Sequence, residues 1–272
     1  MSEPMIVLRG VGKTYHRGRP PALAGVDLEI AAGTIVAVVG ESGSGKSTLG
    51  KLLVGLATPS TGEILVDGKS PEPVSRRRKG RERPAQMVFQ DVYGSLNPSQ
   101  TIGFQLNEVY RAAHLRASRT ERTAAITALV ERVGLRPASD YLSRRSDDLS
   151  GGQRQRVGIA RALATDPRVI VADEPTSMLD VSVRREILDL LAGLRTDGVT
   201  IVYITHDLLS AGYLADRVVV LHHGEIVEDG SPDQVLGDPQ HPYTQKLAAA
   251  SPGLQLELAN GAAAAQTEEE ND

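Results

Sequence analysis

Thr34-Ile-Val-Ala-Val-Val-Gly-Glu-Ser-Gly-Ser-Gly-Lys-Ser-Thr-Leu49 is the stretch from which the rest of the chain is read. Its β-branched and apolar run, Ile35 to Val39, has the composition of a buried strand. The run stops at Gly40, and Gly43 and Gly45 follow within five residues. Beyond Lys46-Ser47-Thr48, the spacing of Leu49, Leu52, Leu53 and Leu56 predicts a helix. Gly40-x4-Gly45-Lys46-Ser47 is the spacing of a P-loop, a strand-to-helix turn that wraps phosphates. The glycines let the backbone turn tightly and bring its N–H groups up to phosphate oxygens with no Cβ in the way. The new helix adds the positive end of its dipole. Lys46 supplies a charge for the β- and γ-phosphates, and the Ser47 hydroxyl is a hard oxygen ligand for Mg²⁺. A bound nucleotide is therefore expected.

Working outward, the chain has 272 residues, enough for one large domain or two small ones. Its formal charge is 30 − 34 = −4, which argues against general nucleic-acid binding. There is no cysteine, so disulfides, thiolate metal sites and cysteine-ligated iron–sulfur clusters are excluded. The first residues lack a basic region followed by an apolar segment, and no signal peptide is expected. Apolar runs such as Val218 to Leu221 fall far short of the ~20 residues of a spanning helix. Any membrane role is expected to come through a partner.

Met5 to Leu8 and Leu23 to Ile30 read as strands, with Gly12-Lys13-Thr14-Tyr15 between them. Tyr15 lies in a polar loop and is either a stacking surface for a base or an ordinary amphipathic contact. Gly62 to Gly68 and Ala85 to Phe89 read as further strands. Residues 76–83 hold six basic side chains and one acid. No aromatic residue interleaves them, and they read as a solvated loop. Residues 101–114 and 120–133 have helical periodicity with no strand between, which suggests a helical insertion in an α/β chain. At Leu149-Ser-Gly-Gly-Gln-Arg-Gln-Arg156 a loop enters a helix running to about Ala164. Ser150 is a good N-cap, and Gly151 and Gly152 expose N–H groups at the positive helix end. This second anion site has no lysine. The chain therefore holds two nucleotides, or one nucleotide is clasped from two sides.

Val169 to Ala172 is an apolar strand that delivers Asp173 and Glu174 at its C-terminal end, where ligands of parallel sheets sit. Adjacent acids point to different sides and so have different tasks. Asp173 suits the Mg²⁺ shell, and Glu174 suits a base acting on water beyond the γ-phosphate. Helix 181–195 and strand Thr200 to Ile204 follow. His206 ends that strand on the side of the sheet carrying Asp173, which places it at the site. Strands near Arg217–Leu221 and Glu225–Glu228 close the sheet. Ser231-Pro232-Asp233-Gln234 reads as a capped helix start. Residues 260–272 read as a disordered acidic tail.

Taken together, these motifs resemble the ATP-binding subunits of ATP-binding-cassette transporters, over roughly residues 5–252. Gly40–Ser47 matches the Walker A motif and Gln90 the Q-loop glutamine. Leu149-Ser150-Gly151-Gly152-Gln153 matches the signature, and Val169–Asp173 with Glu174 the Walker B motif. Ser177-Met178-Leu179-Asp180 matches the D-loop, with Met178 where a small residue is usual. His206 matches the switch histidine, and Tyr15 the aromatic that stacks on adenine. Gln90-Asp-Val-Tyr-Gly-Ser-Leu-Asn-Pro98 and Asp238-Pro-Gln-His-Pro-Tyr-Thr-Gln-Lys-Leu-Ala-Ala-Ala-Ser-Pro252 resemble the oligopeptide/dipeptide/nickel importer branch. Within that branch the former looks like the second of two paired ATPases.

The resemblance implies an α/β, RecA-like P-loop core with an antiparallel β subdomain and a helical insertion. One domain is expected over 1–250, its helical subdomain at about 91–160, followed by a C-terminal extension over 251–272. The implied catalytic residues are Glu174, His206, Gln90 and Lys46. Tyr15, Gly40, Ser42, Gly43, Gly45, Lys46, Ser47, Thr48, Ser150, Gly151, Gly152, Gln153 and Asp180 would meet ATP. Ser47, Gln90 and Asp173 would meet Mg²⁺. In such ATPases two cassettes meet head to tail, and each signature covers the nucleotide on the other's P-loop. The implied partners are two membrane permeases, a second ATPase and an extracytoplasmic solute-binding protein, at the cytoplasmic face of a membrane. The cargo expected is a dipeptide or oligopeptide, with nickel or another solute as the alternative. A soluble cassette acting on ribosomes or DNA is the rival class. The single P-loop and modest insertion count against it.

Overall fold

The computed structural model describes residues 4–16, 18–73 and 84–251. The basic stretch at 76–83 and the acidic tail lie outside the described residues. Five short apolar segments form strands β3 (Ile35–Val39), β5 (Ala85–Val88), β6 (Val169–Asp173), β7 (Thr200–Ile204) and β8 (Arg217–His222). They pair in parallel in the order β5-β6-β7-β3-β8, and β9 (Glu225–Gly230) adds an antiparallel edge. All of β3 and β7 is buried. That explains their continuous apolar sequence, since a strand covered on both faces has no reason to alternate with polar residues.

Because successive strand residues face opposite sides, the sheet divides its side chains between two cores. Ile35, Ala37, Val39, Ile170, Ala172 and Tyr203 join one core. It also takes in α5 (Gly151–Leu163), α6 (Val181–Thr196) and α7 (Leu208–Leu214). Val36, Val38, Val169, Val171, Val202 and Ile204 join the other. That second core is closed by α1 (Lys46–Leu53) and by a three-stranded antiparallel sheet. The small sheet has the order β2-β1-β4, made of β1 (Ile6–Lys13), β2 (Leu23–Ile30) and β4 (Thr61–Val66). Buried and exposed residues alternate along most of β2, as expected of a strand with one covered face.

Between β5 and β6 the chain forms α2 (Ile102–Ala113), α3 (Arg119–Arg132) and α4 (Ala138–Leu142) before entering α5. Ser150 caps its helix as predicted, and Ser118 caps another without having been singled out. Ser118 and Glu121 form a reciprocal capping box on α3, and Ser150 and Gln153 form one on α5. Ser231 and Gln234 exchange the same pair of bonds, but a five-residue π-helical turn, Asp233–Gly237, follows them instead of an α-helix. Three elements had no clear sequence signal: α4, α7 and α8 (Pro242–Ala249). α4 and α7, at five and seven residues, are too short to display a helical period, and α8 carries a single leucine where α1, of the same length, carries Leu49, Leu52 and Leu53. Among the described residues no helix is long and apolar enough to cross a membrane.

Leu191 lies wholly buried on α6, in the helix-side core. Leu191→Ala is expected to cost ~2–5 kcal/mol through lost burial and a residual cavity. Urea unfolding should show a lower midpoint with an unchanged slope.

Candidate active site

The turn after β3 stands at the C-terminal end of the parallel strands, where the ends of β6 and β7 also emerge. Gly40 holds φ 148°, and a Cβ there would lie 2.2 Å from the Leu221 carbonyl oxygen on β8. Only glycine lets the loop pass that close to the neighbouring strand. Ser44 accepts from the Gly224 N–H at 2.9 Å. Glu41, Ser42 and Gly43 form the exposed crest of the loop, and Gly45 leads into α1. The buried Lys46 ammonium folds back under the crest, donating to the carbonyls of Gly40 at 2.6 Å and Glu41 at 2.8 Å. Ser47 and Thr48 follow on the first turn of α1.

Asp173 ends β6 and Glu174 follows it, and the two acids turn to different partners. Asp173 continues the side of Val169 and Val171, the side carrying α1, and its Oδ1 accepts from the Ser47 hydroxyl at 3.2 Å. Glu174 leaves the strand with a left-handed φ of 46°, uncommon for a non-glycine residue. Surrounding bonds hold it in that conformation. Its N–H donates to Ile204 O at 2.9 Å, and its carbonyl accepts from the Ser177 hydroxyl at 3.1 Å. Its carboxylate lies 3.2 Å from Gln90 Nε2 and 3.1 Å from His206 Nδ1.

Gln90, Glu174, His206 and Ser177 thus form one group, and Lys46, Ser47 and Asp173 another beside it. Gln90 Nε2 is turned to Glu174 and to the Ser177 hydroxyl, at 3.2 Å each. Tyr15 is exposed just beyond β1, with the Lys13 ammonium 5.0 Å from its ring centre. The segment after Tyr15 returns to the loop, for a Cβ on Gly45 would lie 2.4 Å from the Ala22 carbonyl oxygen. Ser150 and Gln153 bond to each other at the start of α5. A Cβ on Gly151 would touch Leu179, and one on Gly152 would clash with Val183. That start therefore sits against the segment carrying exposed Met178, Asp180 and Val181. Ser177 and Tyr243 join the site without having been singled out as site residues. Ser177 stood only within the D-loop match. Tyr243 lies about two hundred positions from its partner, the Glu41 N–H.

Burial pushes the Lys46 ammonium below the usual lysine range, against the opposing pull of Glu174, Asp173 and Glu41. Burial raises the Asp173 carboxyl, the Ser47 hydrogen bond lowers it in part, and the Glu174 charge adds to the rise. Two neighbouring carboxylates and a desolvated lysine thus meet at the end of the sheet.

This fold and this loop define a nucleotide-binding ATPase. The chain belongs to the ABC transporter family, whose model matches residues 23–177. A dipeptide transport ATP-binding protein of Haemophilus influenzae is 43% identical, over 87% of this chain and 72% of its own length. A putative peptide import ATP-binding protein of Brucella ovis is 41% identical, over 92% of this chain and 79% of its own. An oligopeptide transport ATP-binding protein of Streptococcus pyogenes is 38% identical, over 93% and 83%. Among solved structures, CbiO1 of Clostridium perfringens superposes with a TM-score of 0.75 at 29% identity, covering 87% of this chain and 92% of that one. The cassette MJ0796, in a dimeric post-hydrolysis state with ADP and phosphate, gives 0.73 at 33%, covering 84% and 99%. The expected α/β cassette fold and the ATP-binding role both stand.

The raised Asp173 pKa predicts a stability cost. A carboxyl whose folded-state pKa is raised favours the fold when protonated, and that contribution is lost as pH rises through the raised value. At neutral pH the ionised group is therefore a burden on the ligand-free protein. Asp173→Asn should raise the thermal midpoint at pH 7 by roughly 1–3 °C. A lower midpoint by calorimetry would contradict this reading of the site.

Proposed function

We propose that this chain is the ATP-hydrolysing subunit of a peptide importer, working at the cytoplasmic face of a membrane. Two permeases, a second cassette and an extracytoplasmic binding protein complete the assembly. The observation that carries the reading is the grouping of Gln90, Glu174 and His206 beside a Lys46–Ser47–Asp173 set. The peptide cargo rests on the names of the relatives described above.

In this reading Lys46 leaves the carbonyls of Gly40 and Glu41 and turns to the β- and γ-phosphates of ATP. The exposed N–H groups of the loop and the start of α1 take the remaining phosphate oxygens. Ser47 and Asp173 offer adjacent hard oxygens suited to Mg²⁺, which would draw charge from the β- and γ-phosphates when bound. Gln90 completes that shell only by rotating away from Glu174. Glu174 takes a proton from the attacking water as its oxygen bonds to the γ-phosphorus, and the bond to the ADP oxygen breaks. His206 holds the carboxylate in place for that transfer. Tyr15 offers its open face to the adenine.

Ser150, Gly151, Gly152, Gln153 and Asp180 serve a different nucleotide, the one on the partner cassette. Support comes from their surroundings. The α5 start bonds within itself and borders the exposed apolar side chains of Met178 and Val181. Such side chains are expected to be covered in an assembly.

Glu174→Gln keeps the shape of the side chain and removes the base. It is expected to leave ATP binding intact and to lower turnover at least ~10²-fold, with loss of labelled-dipeptide uptake in cells carrying it. Unchanged turnover would refute Glu174 as the base. Uptake lost for nickel but not for peptide would make nickel the cargo.

A further inference from the structure

The HPYT stretch near the C-terminus marked a branch of the family in sequence, and the ATPase mechanism above gives it no task. In the structure it reaches the phosphate loop. Tyr243, at the start of α8, accepts a hydrogen bond from the Glu41 N–H at 2.8 Å. Its ring is buried and stacks on His222, with centroids 3.7 Å apart and planes 25° from parallel. His222 is the last residue of β8, one position past the Leu221 carbonyl that Gly40 skirts.

The start of α8 is itself fixed. The Glu228 carboxylate of β9 accepts from the N–H groups of Gln240 at 2.8 Å and His241 at 3.0 Å. His241 Nδ1 accepts from the Tyr243 N–H at 3.1 Å. The tyrosine hydroxyl therefore approaches the loop from a rigid support and costs little entropy to hold there.

The bonded group is one peptide unit, Gly40–Glu41. In a trans peptide the C=O and N–H point in opposite directions. Lys46 holds the carbonyl of this unit and Tyr243 holds its N–H. Lys46 must let go to meet a phosphate, but Tyr243 need not. We infer that Tyr243 is a positioning residue for the nucleotide site, a brace that keeps the Gly40–Glu41 peptide plane oriented when Lys46 turns to ATP. The inference rests on the ATP site assigned to this loop, and it makes the C-terminal helix part of the apparatus that sets ATP affinity.

Tyr243→Phe tests it, because the ring and its stacking on His222 stay and only the hydroxyl goes. The expected result is a Kd for ATP raised ~5–10-fold, the scale of one orphaned N–H. kcat at saturating ATP should stay near wild type. Deuterium exchange should quicken at the Glu41 amide. A role confined to packing predicts a different pattern, in which Tyr243→Phe behaves as wild type in Kd and exchange and only Tyr243→Ala loses stability. That pattern would overturn the proposal. Failure of the wild-type chain to bind ATP would instead defeat the function assigned to the loop.

Discussion

The structure depends on one constraint. A phosphate-wrapping loop must leave N–H groups free along most of its crest, yet stand at the end of a buried sheet where unpaired polar groups are costly. The chain meets this by satisfying the loop from beneath and from the sides. Lys46 takes two of its carbonyls, Gly224 donates to Ser44, and Tyr243 accepts from Glu41. Gly40 and Gly45 allow the close approach of β8 and of the segment before β2. Apart from Lys46, which belongs to the loop's own motif, these contacts come from separate parts of the sequence, so the loop's shape depends on the completed fold.

The second organising fact is the end of β6. It puts Asp173 on the side of α1, where Ser47 meets it, and turns Glu174 toward Gln90 and His206. Neighbouring carboxylates can then carry different chemistry a few ångströms apart, one among hard oxygens and the other beside a histidine. The left-handed φ of Glu174 belongs to this arrangement, since the chain must leave the strand at that point while the carboxylate stays over the sheet's end.

Much of this was legible in the sequence because its signals are contiguous. The apolar runs of β3 and β6 sit directly before Gly40 and Asp173, and that of β7 one residue before His206, so reading the strands also located the site. Elements whose reasons are tertiary were not legible. Helices α4, α7 and α8 are short and are held by packing and caps, such as the Asp207 side chain at the start of α7. Gln90 was expected among both the catalytic and the metal-binding residues, and its pairing with Glu174 and Ser177, more than eighty positions away, has no contiguous signal. The bond from Glu41 to Tyr243 has no local signature at all.

The central claim is that this chain carries half of each composite ATP site and needs another cassette's signature to turn over. The most direct measurement compares steady-state ATP hydrolysis per P-loop in the isolated chain and in the membrane complex purified through a tag on it. The account predicts a rate at least ~10²-fold higher in the complex, the scale set by donors that stabilise transition-state charge. Equal rates in the dilute isolated chain and the complex would contradict it.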